Sequence, residues 1–383
     1  MVNDVTLERL RRLTEPRGDA AVLSLYLDWD PSELPTPPAR ESAVDSALSD
    51  ARRAVEEHRL DHDTRVRMRE ALGELAHRLR PSEGMEADGA RALAAFVAVD
   101  GSADIELLRL PAPVRNHVAL DLGAHVEPLV GMAATQRWCI ALVNRRSARF
   151  FVGDEFAVEE TGKLEDDVHG SHDQGGWSQR RYQSSIEEDV SHHLDRVARA
   201  LHVDQTQRDR FDRLLLGAPQ ELHGGLEGSL HPDTRAVLGG WVEVDQSTAG
   251  TEEVRLAAAA AIERARDAHR REALDRLQAG IAVDGGHGVH GLDAVLLPLY
   301  ERRVEVLLLL DDLHRPGARC PRCGMLGLDA GAPCPVDDSA MERVEDVVEA
   351  GIGLAYQQDA EVMVVHREPR LQALGGIGAV LRF

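Results

Sequence analysis

Short apolar-rich runs bounded by polar, Gly or Pro residues recur along the chain. They predict a buried strand over Ala21 to Leu27 and further strands over Ala92 to Val99, Ile105 to Leu110, Cys139 to Val143, Ala148 to Val152, Arg213 to Leu216, Trp241 to Val244, Val304 to Leu310 and Glu361 to His366. Between them, apolar residues recur at helical spacing. Val44, Leu48, Ala51 and Val55 make one stripe, Val66, Leu72, Leu75 and Leu79 a second, and Ile186, Val190, Leu194, Val197 and Leu201 a third. Residues 4–14 predict a short helix with Asp4 as N-cap and Leu7, Leu10 and Leu13 on one face. Pro31, Pro35, Pro37 and Pro38 predict a loop that is neither helix nor inner strand. Residues 81–89 form a polar break, and Asn144 to Ser147 suits a hairpin turn. Glu252 to Gln278 predicts a long helix acting as a spacer, and residues 292–300 and 341–356 predict two more. A glycine turn at Gly375 and Gly376 leads into a last strand.

Strands and helices in alternation argue for an α/β protein, with mixed sheets covered by helices. At 383 residues the chain exceeds one ordinary core. The pattern divides it into an N-terminal α/β domain (1–130), a central mixed-sheet domain (131–282) and a C-terminal α-β-α domain (283–383) interrupted by an insert at 314–340. Aromatics are only 4% of residues, so aliphatic side chains must build the cores. The net charge of −22 argues against a nucleic-acid binder held by bulk electrostatics, but leaves room for one local basic tip. Neither a membrane-length apolar run nor the charged-then-apolar order of a signal peptide is present, which places the protein in the cytoplasm.

Two stretches carry candidate chemistry. The first is the polar loop from His169 to Gln183, with Gly175 and Gly176 adjacent, then Trp177, Gln179, Arg180, Arg181 and Tyr182. Adjacent glycines allow positive φ or a close approach to another molecule. The following helix is expected to open on overlapping capping boxes, Ser184-x-x-Glu187 and Ser185-x-x-Glu188, with His192 and His193 on a solvated face. The bland alternative is a surface turn with Trp177 and Tyr182 packed back onto the domain. A metal shared by His169, His172 and Asp173 is a further alternative, although no helix holds those residues.

The second is the insert. Cys320-Pro-Arg-Cys323 has the two-residue gap of a zinc knuckle, and Cys334-Pro-Val-Asp337 puts an aspartate where a second knuckle carries its fourth cysteine. Cys320, Cys323, Cys334 and Asp337 make one possible set for a structural zinc, with His314 as the rival fourth ligand and a metal-free insert as the alternative. Cys139, inside a strand, reads as a core thiol.

Residues 138–201 resemble the central domain of the eukaryotic and archaeal class-I release factors and of Pelota, in which a strand pair leads to an exposed Gly-Gly-Gln loop and a long helix. Gly175-Gly176-Trp177-Ser178-Gln179 is similar, with two residues inserted before the glutamine. Residues 285–310, ending in Glu301-Arg302-Arg303-Val304-Glu305-Val306-Leu307, resemble the start of the C-terminal domain of those proteins, and Gly375 to Ala379 its end. The cysteine insert falls where they carry a mini-domain, and Gly18-Asp19 before Val22 to Tyr26 is similar to their first strand. The chain is thus similar to a bacterial release-factor-like family.

That resemblance implies an RNase H-like central domain and hydrolysis of the ester joining a nascent peptide to tRNA. Gln179 would position the water, Gly175 and Gly176 would let the backbone approach RNA, and Trp177, Arg180 and Arg181 would contact it. The implied partners are the ribosome, through its rRNA and P-site peptidyl-tRNA, and a translational GTPase. No Asn-Ile-Lys-Ser-type codon-reading motif occurs in residues 40–90, so the activity implied is codon-independent ribosome rescue. The alternative is a non-catalytic hibernation factor that occupies the A site, as Balon-type proteins do.

Overall fold

The structure is a computed structural model that describes residues 4–15, 17, 20–80, 90–99, 103–133, 136–166, 179–283, 285–311 and 313–383, with the backbone alone for 179–186. The expected break at 81–89 lies outside them. Two compact units result, one built from residues 1–134 and 270–383, the other from 135–269.

The first unit opens with α1 (Leu7–Leu13), β1 (Ala21–Asp28), α2 (Pro37–Glu57), α3 (His62–Arg78), β2 (Ala92–Val99), β3 (Ala103–Leu110), β4 (His117–Asp121) and α4 (Val130–Ala133). Its antiparallel sheet has the order β3-β2-β1-β4. Thr6, not Asp4, caps α1, accepting the Arg9 N–H at 3.1 Å. Asp4 instead binds the Arg109 backbone N–H at 3.0 Å and its guanidinium at 2.9 Å, tying the chain start to β3. The proline loop also ends earlier than expected. Pro37 and Pro38 form the first turn of α2 behind the Thr36 cap, where a missing N–H costs nothing.

β1 and β2 are buried on both faces, which explains why their sequences are continuous apolar runs rather than alternating ones. Leu23, Leu25, Leu27, Leu93 and Val97 pack with Leu48, Val55, Leu72 and Leu75 of α2 and α3. Val22, Tyr26, Ala94 and Phe96 face the other way, into a core shared with Val295, Leu299, Ile352 and Tyr356 from the end of the chain. This shared core is why the two ends of the chain form one unit.

The second unit comprises β5 (Trp138–Val143), β6 (Ser147–Gly153), β7 (Val158–Glu165), α5 (Gln179–Thr206), β8 (Arg213–Gly217), α6 (His223–Ser229), α7 (Pro232–Ala236), β9 (Leu238–Trp241) and the first part of α8 (Thr251–Ala282). Its sheet, β7-β6-β5-β8-β9, is antiparallel on one side of β5 and parallel on the other, hence mixed as expected. Asn144 makes the hairpin turn, its side-chain oxygen accepting the N–H groups of Arg146 and Ser147, each at 2.8 Å. β9 lies three residues before the expected strand. Edge strand β7 has no fully buried residue. Leu194, Val197 and Leu201 of α5 cover one sheet face with Cys139, Ala141, Phe150, Leu214 and Leu216. Val254, Ala258 and Ile262 of α8 cover the other with Trp138, Ile140 and Leu142. Cys139 is the buried thiol expected, its pKa pushed far up by desolvation.

Further along α8, Ala273, Leu274 and Leu277 join the core of the first unit with Val306, Leu308 and Val380. That unit then continues through β10 (Gly288–His290), α9 (Leu292–Tyr300), β11 (Val304–Leu310), β12 (Gly317–Arg319), β13 (Leu326–Gly327), β14 (Glu342–Val344), α10 (Val347–Gln357), β15 (Glu361–Val365), α11 (Pro369–Ala373) and β16 (Ile377–Leu381). Its second sheet is β10-β16-β11-β15, and the insert carries a small sheet, β13-β12-β14. The helix expected over 341–356 is therefore shorter. Glu342 to Val344 pair with β12, and Asp346 caps α10 by accepting the Val348 N–H at 2.9 Å.

Candidate functional site

Gly175, Gly176 and Trp177 lie outside the described residues, as do His169, His172 and Asp173. Gln179 is the first residue of α5, and Arg180 and Arg181 complete its first turn. Ser184 and Ser185 therefore lie inside the helix and not at its N-cap. The helix begins six residues earlier than the first capping box suggests, and the orphan N–H groups of the helix start belong to the turn holding Gln179. From Glu187 to His192 no side chain is fully buried; His193 is. Gln179 stands 14 residues, or about 21 Å along the axis, beyond His193.

His193 corrects the expectation of a solvated pair. His192 is exposed, while the His193 side chain is wholly enclosed. Its Nδ1 lies 2.5 Å from Oδ2 of Asp166, the residue after β7, and the other oxygen of Asp166 pairs with Arg196 one turn along α5. The Asp166 N–H donates to the Arg146 carbonyl at 2.8 Å, which continues the β6–β7 hairpin. Burial lowers the His193 pKa, opposed in part by a hydrogen bond with the Ser147 backbone. The spacing 190–193–197 puts His193 beside the apolar stripe, which is the signal in the sequence for its burial.

The cysteine insert closes as its spacing suggests. Ligand atoms of Cys320, Cys323, Cys334 and Asp337 all lie within 4.8 Å of one another. Cys323 Sγ is 3.5 Å from Cys334 Sγ, and Cys320 Sγ is 3.5 Å from Asp337 Oδ1. Thiolates on one tetrahedral zinc, each at about 2.3 Å, stand roughly 3.8 Å apart, so the set fits such an ion. The two halves are built alike. The Gly324 and Asp338 N–H groups return to the Cys320 and Cys334 carbonyls, both at 2.9 Å. Gly324 and Asp338 both have positive φ, +79° and +57°. The Cys323 N–H points at Cys320 Sγ, and the Val336 N–H at Cys334 Sγ. Asp337 thus occupies the place of a knuckle's second cysteine. Burial raises the Cys320 thiol, but the Cys323 and Arg322 N–H groups outweigh it and lower its pKa overall. Burial raises Cys334 to about 11, and the Ser339 N–H lowers Asp337. His314, the rival ligand, is engaged elsewhere, with Asp346 at 2.8 Å.

A second polar cluster, not foreseen, sits in the shared core of the first unit. The Glu349 carboxylate, in the first turn of α10, accepts the Val126 N–H at 2.6 Å and the Glu127 N–H at 3.3 Å, and pairs with His125 Nδ1 at 2.9 Å. Tyr26 donates its hydroxyl to the His125 carbonyl at 2.5 Å, and Ser24 Oγ accepts the His125 N–H at 2.9 Å. Burial works against a charged His125, but Glu349 more than compensates and its pKa is raised. Burial beside Glu349 lifts Glu127 to about 7. With both carboxylate oxygens of Glu349 engaged, this cluster joins the two ends of the chain.

His202, His231 and Asp233 also approach one another. Their imidazoles are stacked, with centroids 3.9 Å apart, so the in-plane lone pairs run side by side rather than converging on one ion. His231 Nδ1 already accepts the Asp233 N–H at 3.3 Å as the cap of α7. No helix among the described residues is long and apolar enough to cross a membrane.

Residues 125–276, which include β5 to β9, α5 and the polar loop, match the model of bacterial archaeo-eukaryotic release factor family 10. A peptide chain release factor subunit 1 of Thermoplasma acidophilum is 24% identical over 299 residues, 73% of this chain and 72% of its own length. Among solved structures, Pelota of Archaeoglobus fulgidus is similar over 100% of this chain and 94% of its own, at 17% identity and a TM-score of 0.35. Dom34 of S. cerevisiae, described as a translation termination-like factor, is similar over 76% and 80%, at 11% identity and a TM-score of 0.39. Both scores are too low for one structure to stand in for the other.

Proposed function

We propose, because this chain belongs to the bacterial release-factor-like family, that it is a ribosome-binding protein that hydrolyses peptidyl-tRNA in codon-independent ribosome rescue. The observation that carries the proposal is the family match over 125–276, which encloses the Gly175-Gly176 loop and the helix that starts at Gln179. In this reading the chain works as three domains, 1–130, 131–282 and 283–383, in the cytoplasm, and a translational GTPase is a further partner.

The reaction adds water across the ester. The water oxygen bonds to the carbonyl carbon, the bond to the tRNA ribose oxygen breaks, and peptide acid and free tRNA leave. Gln179 is neutral and a poor base, so its work is to position the water, with its backbone N–H available to the developing oxyanion. Gly175 and Gly176 let the backbone approach RNA without a Cβ. Trp177 stacks on a base, and Arg180 and Arg181 contact phosphates. Cys320, Cys323, Cys334 and Asp337 hold a structural zinc that would cross-link the insert.

One observation favours a second reading. Trp177 and Ser178 separate the glycines from Gln179, which suits an RNA-docking tip in a hibernation factor that occupies the A site without catalysis. The test uses bacterial ribosomes with labelled peptidyl-tRNA in the P site and an A site presenting a sense codon, a stop codon or none. Release in all three cases, reduced at least about a hundredfold by Gln179→Ala with binding intact, supports the hydrolase. Binding without release supports occupancy, and failure to bind removes both readings.

A further inference from the structure

The four ligand atoms of the cysteine insert fall into two close pairs. Cys323 Sγ lies 3.5 Å from Cys334 Sγ, and Cys320 Sγ faces the Asp337 carboxylate at 3.5 and 3.7 Å. The first pair is two sulfurs and can be oxidised to a bond. The second cannot, because a carboxylate has no disulfide to form. Four cysteines on one ion would close into two disulfides, whereas this set closes into one and leaves a thiol over.

Exposure singles out where an oxidant enters. Cys320 and Cys334 are 0% exposed, while Cys323 is half-buried and alone of the three keeps exposed surface. The sulfur beside it belongs to the opposite half of the insert, Cys334-Pro-Val-Asp337. A sulfur–sulfur bond is about 2 Å long, so roughly 1.5 Å of side-chain movement would close the pair.

We propose that Cys323 and Cys334 are an oxidation site, at which hydrogen peroxide links the two sulfurs and expels the zinc. The proposal rests on the zinc reading for the ion released, but not for the thiol chemistry. The Cys323 thiolate attacks one peroxide oxygen. The O–O bond breaks, and hydroxide leaves and takes a proton from solvent to become water. The Cys334 thiolate then attacks the sulfenic sulfur of Cys323. The S–S bond forms, the S–O bond breaks, and a second hydroxide leaves as water after protonation. The two sulfurs give up two electrons between them, and the peroxide is reduced to two waters. Cys320 and Asp337 are then the remaining ligands, too few for an ion that takes four, and zinc passes to solvent. The new bond joins the same two halves that the ion joined, so the insert loses its metal and stays closed.

The test uses the full-length, zinc-loaded protein and hydrogen peroxide. Zinc release is followed with a chromophoric indicator, and the cysteines are mapped by alkylation and peptide mass. Zinc is expected to leave at least about tenfold faster than without peroxide, in an amount equal to the Cys323–Cys334 disulfide formed. Cys320 stays a thiol, as does Cys139, which is buried in the other unit and serves as an internal control. A dithiol reductant with added zinc restores the loaded form. In metal-free Cys334→Ser, which lacks the second sulfur, a diketone probe for sulfenic acid should label Cys323.

A Cys320–Cys323 disulfide as the main product would overturn the proposal. So would zinc loss with no disulfide, zinc retained in the disulfide form, or a sulfenic label on Cys320. If the protein takes up no zinc, the zinc reading falls, and mapping of the metal-free wild type still decides the oxidation site.

Discussion

Asp337 occupies a position where a carboxylate replaces a thiolate without disturbing the turn around it. Both knuckle halves share the same backbone return and the same N–H contacts to sulfur, so the difference between them is one ligand atom. Zinc prefers a full thiolate set, and the ligands must be deprotonated to bind it. Asp337→Cys is expected to tighten zinc binding at least about tenfold at neutral pH, and Asp337→Ala to weaken it by a similar factor, as read by competition with a chromophoric chelator. Cys320→Ser should weaken it further than Asp337→Ala, because it removes a thiolate. Equal affinities across the series would show that these side chains share no ion.

At the scale of elements, α5 commits its second half to the core of the 135–269 unit. Leu194, Val197 and Leu201 are buried against the mixed sheet, while no side chain from Glu187 to His192 is. Most helix stability comes from such packing rather than from propensity. Leu201→Ala, at a fully buried site, is expected to lower the stability of the 135–269 unit by about 2–5 kcal/mol in urea unfolding. Glu188→Ala, on the exposed stretch, should change it by less than about 0.5 kcal/mol. The apolar stripe was legible in the sequence because its period survives any tertiary arrangement. The start of the helix was not, since two serine–glutamate pairs imitate a cap that the chain does not use. β7 was equally hidden, because an edge strand needs no apolar face to pair with β6.

The whole molecule is joined across its two ends by Glu349 and the groups it gathers. His125, Glu127, His117, Tyr26, His314, Asp346, Asp311, Asp121 and Tyr356 are the titratable groups facing this cluster from the surrounding elements. The His125 pKa is raised, so its contribution is complete below about 6.5 and is lost as pH rises through the higher folded value. Glu127 is lifted from 4.5 to about 7, so the unfolded chain gives up that proton first, and stability falls as pH rises between those values. His117 acts the other way. Burial lowers its pKa, so its protonation costs stability as pH drops below 6.5. The unit made of 1–134 and 270–383 should therefore weaken on the alkaline side. Thermal unfolding between pH 6 and 9 is expected to show a falling midpoint in wild type and a shallower fall in Glu127→Gln, which carries no titrating proton. A slope untouched by that substitution would remove Glu127 from the account.

Sequence alone determined whatever depends on local spacing: the apolar runs that became β1, β2, β5 and β11, the stripes of α2, α3 and α5, and the Cys-x-x-Cys and Cys-x-x-Asp halves that meet in the insert. It also placed the Gly175-Gly176 loop ahead of a long helix, but not that helix's start at Gln179. Tertiary structure decided which polar residues are buried. His193, His125 and Glu349 look like surface residues in one dimension, because their partners, Asp166, Val126 and Glu127 among them, lie 27 to 224 positions away. It also decided that β1 and β2 are covered on both faces, since the second cover comes from the far end of the chain. Burial is a property of what folds over a residue, and the residue's own neighbours in sequence carry no record of it.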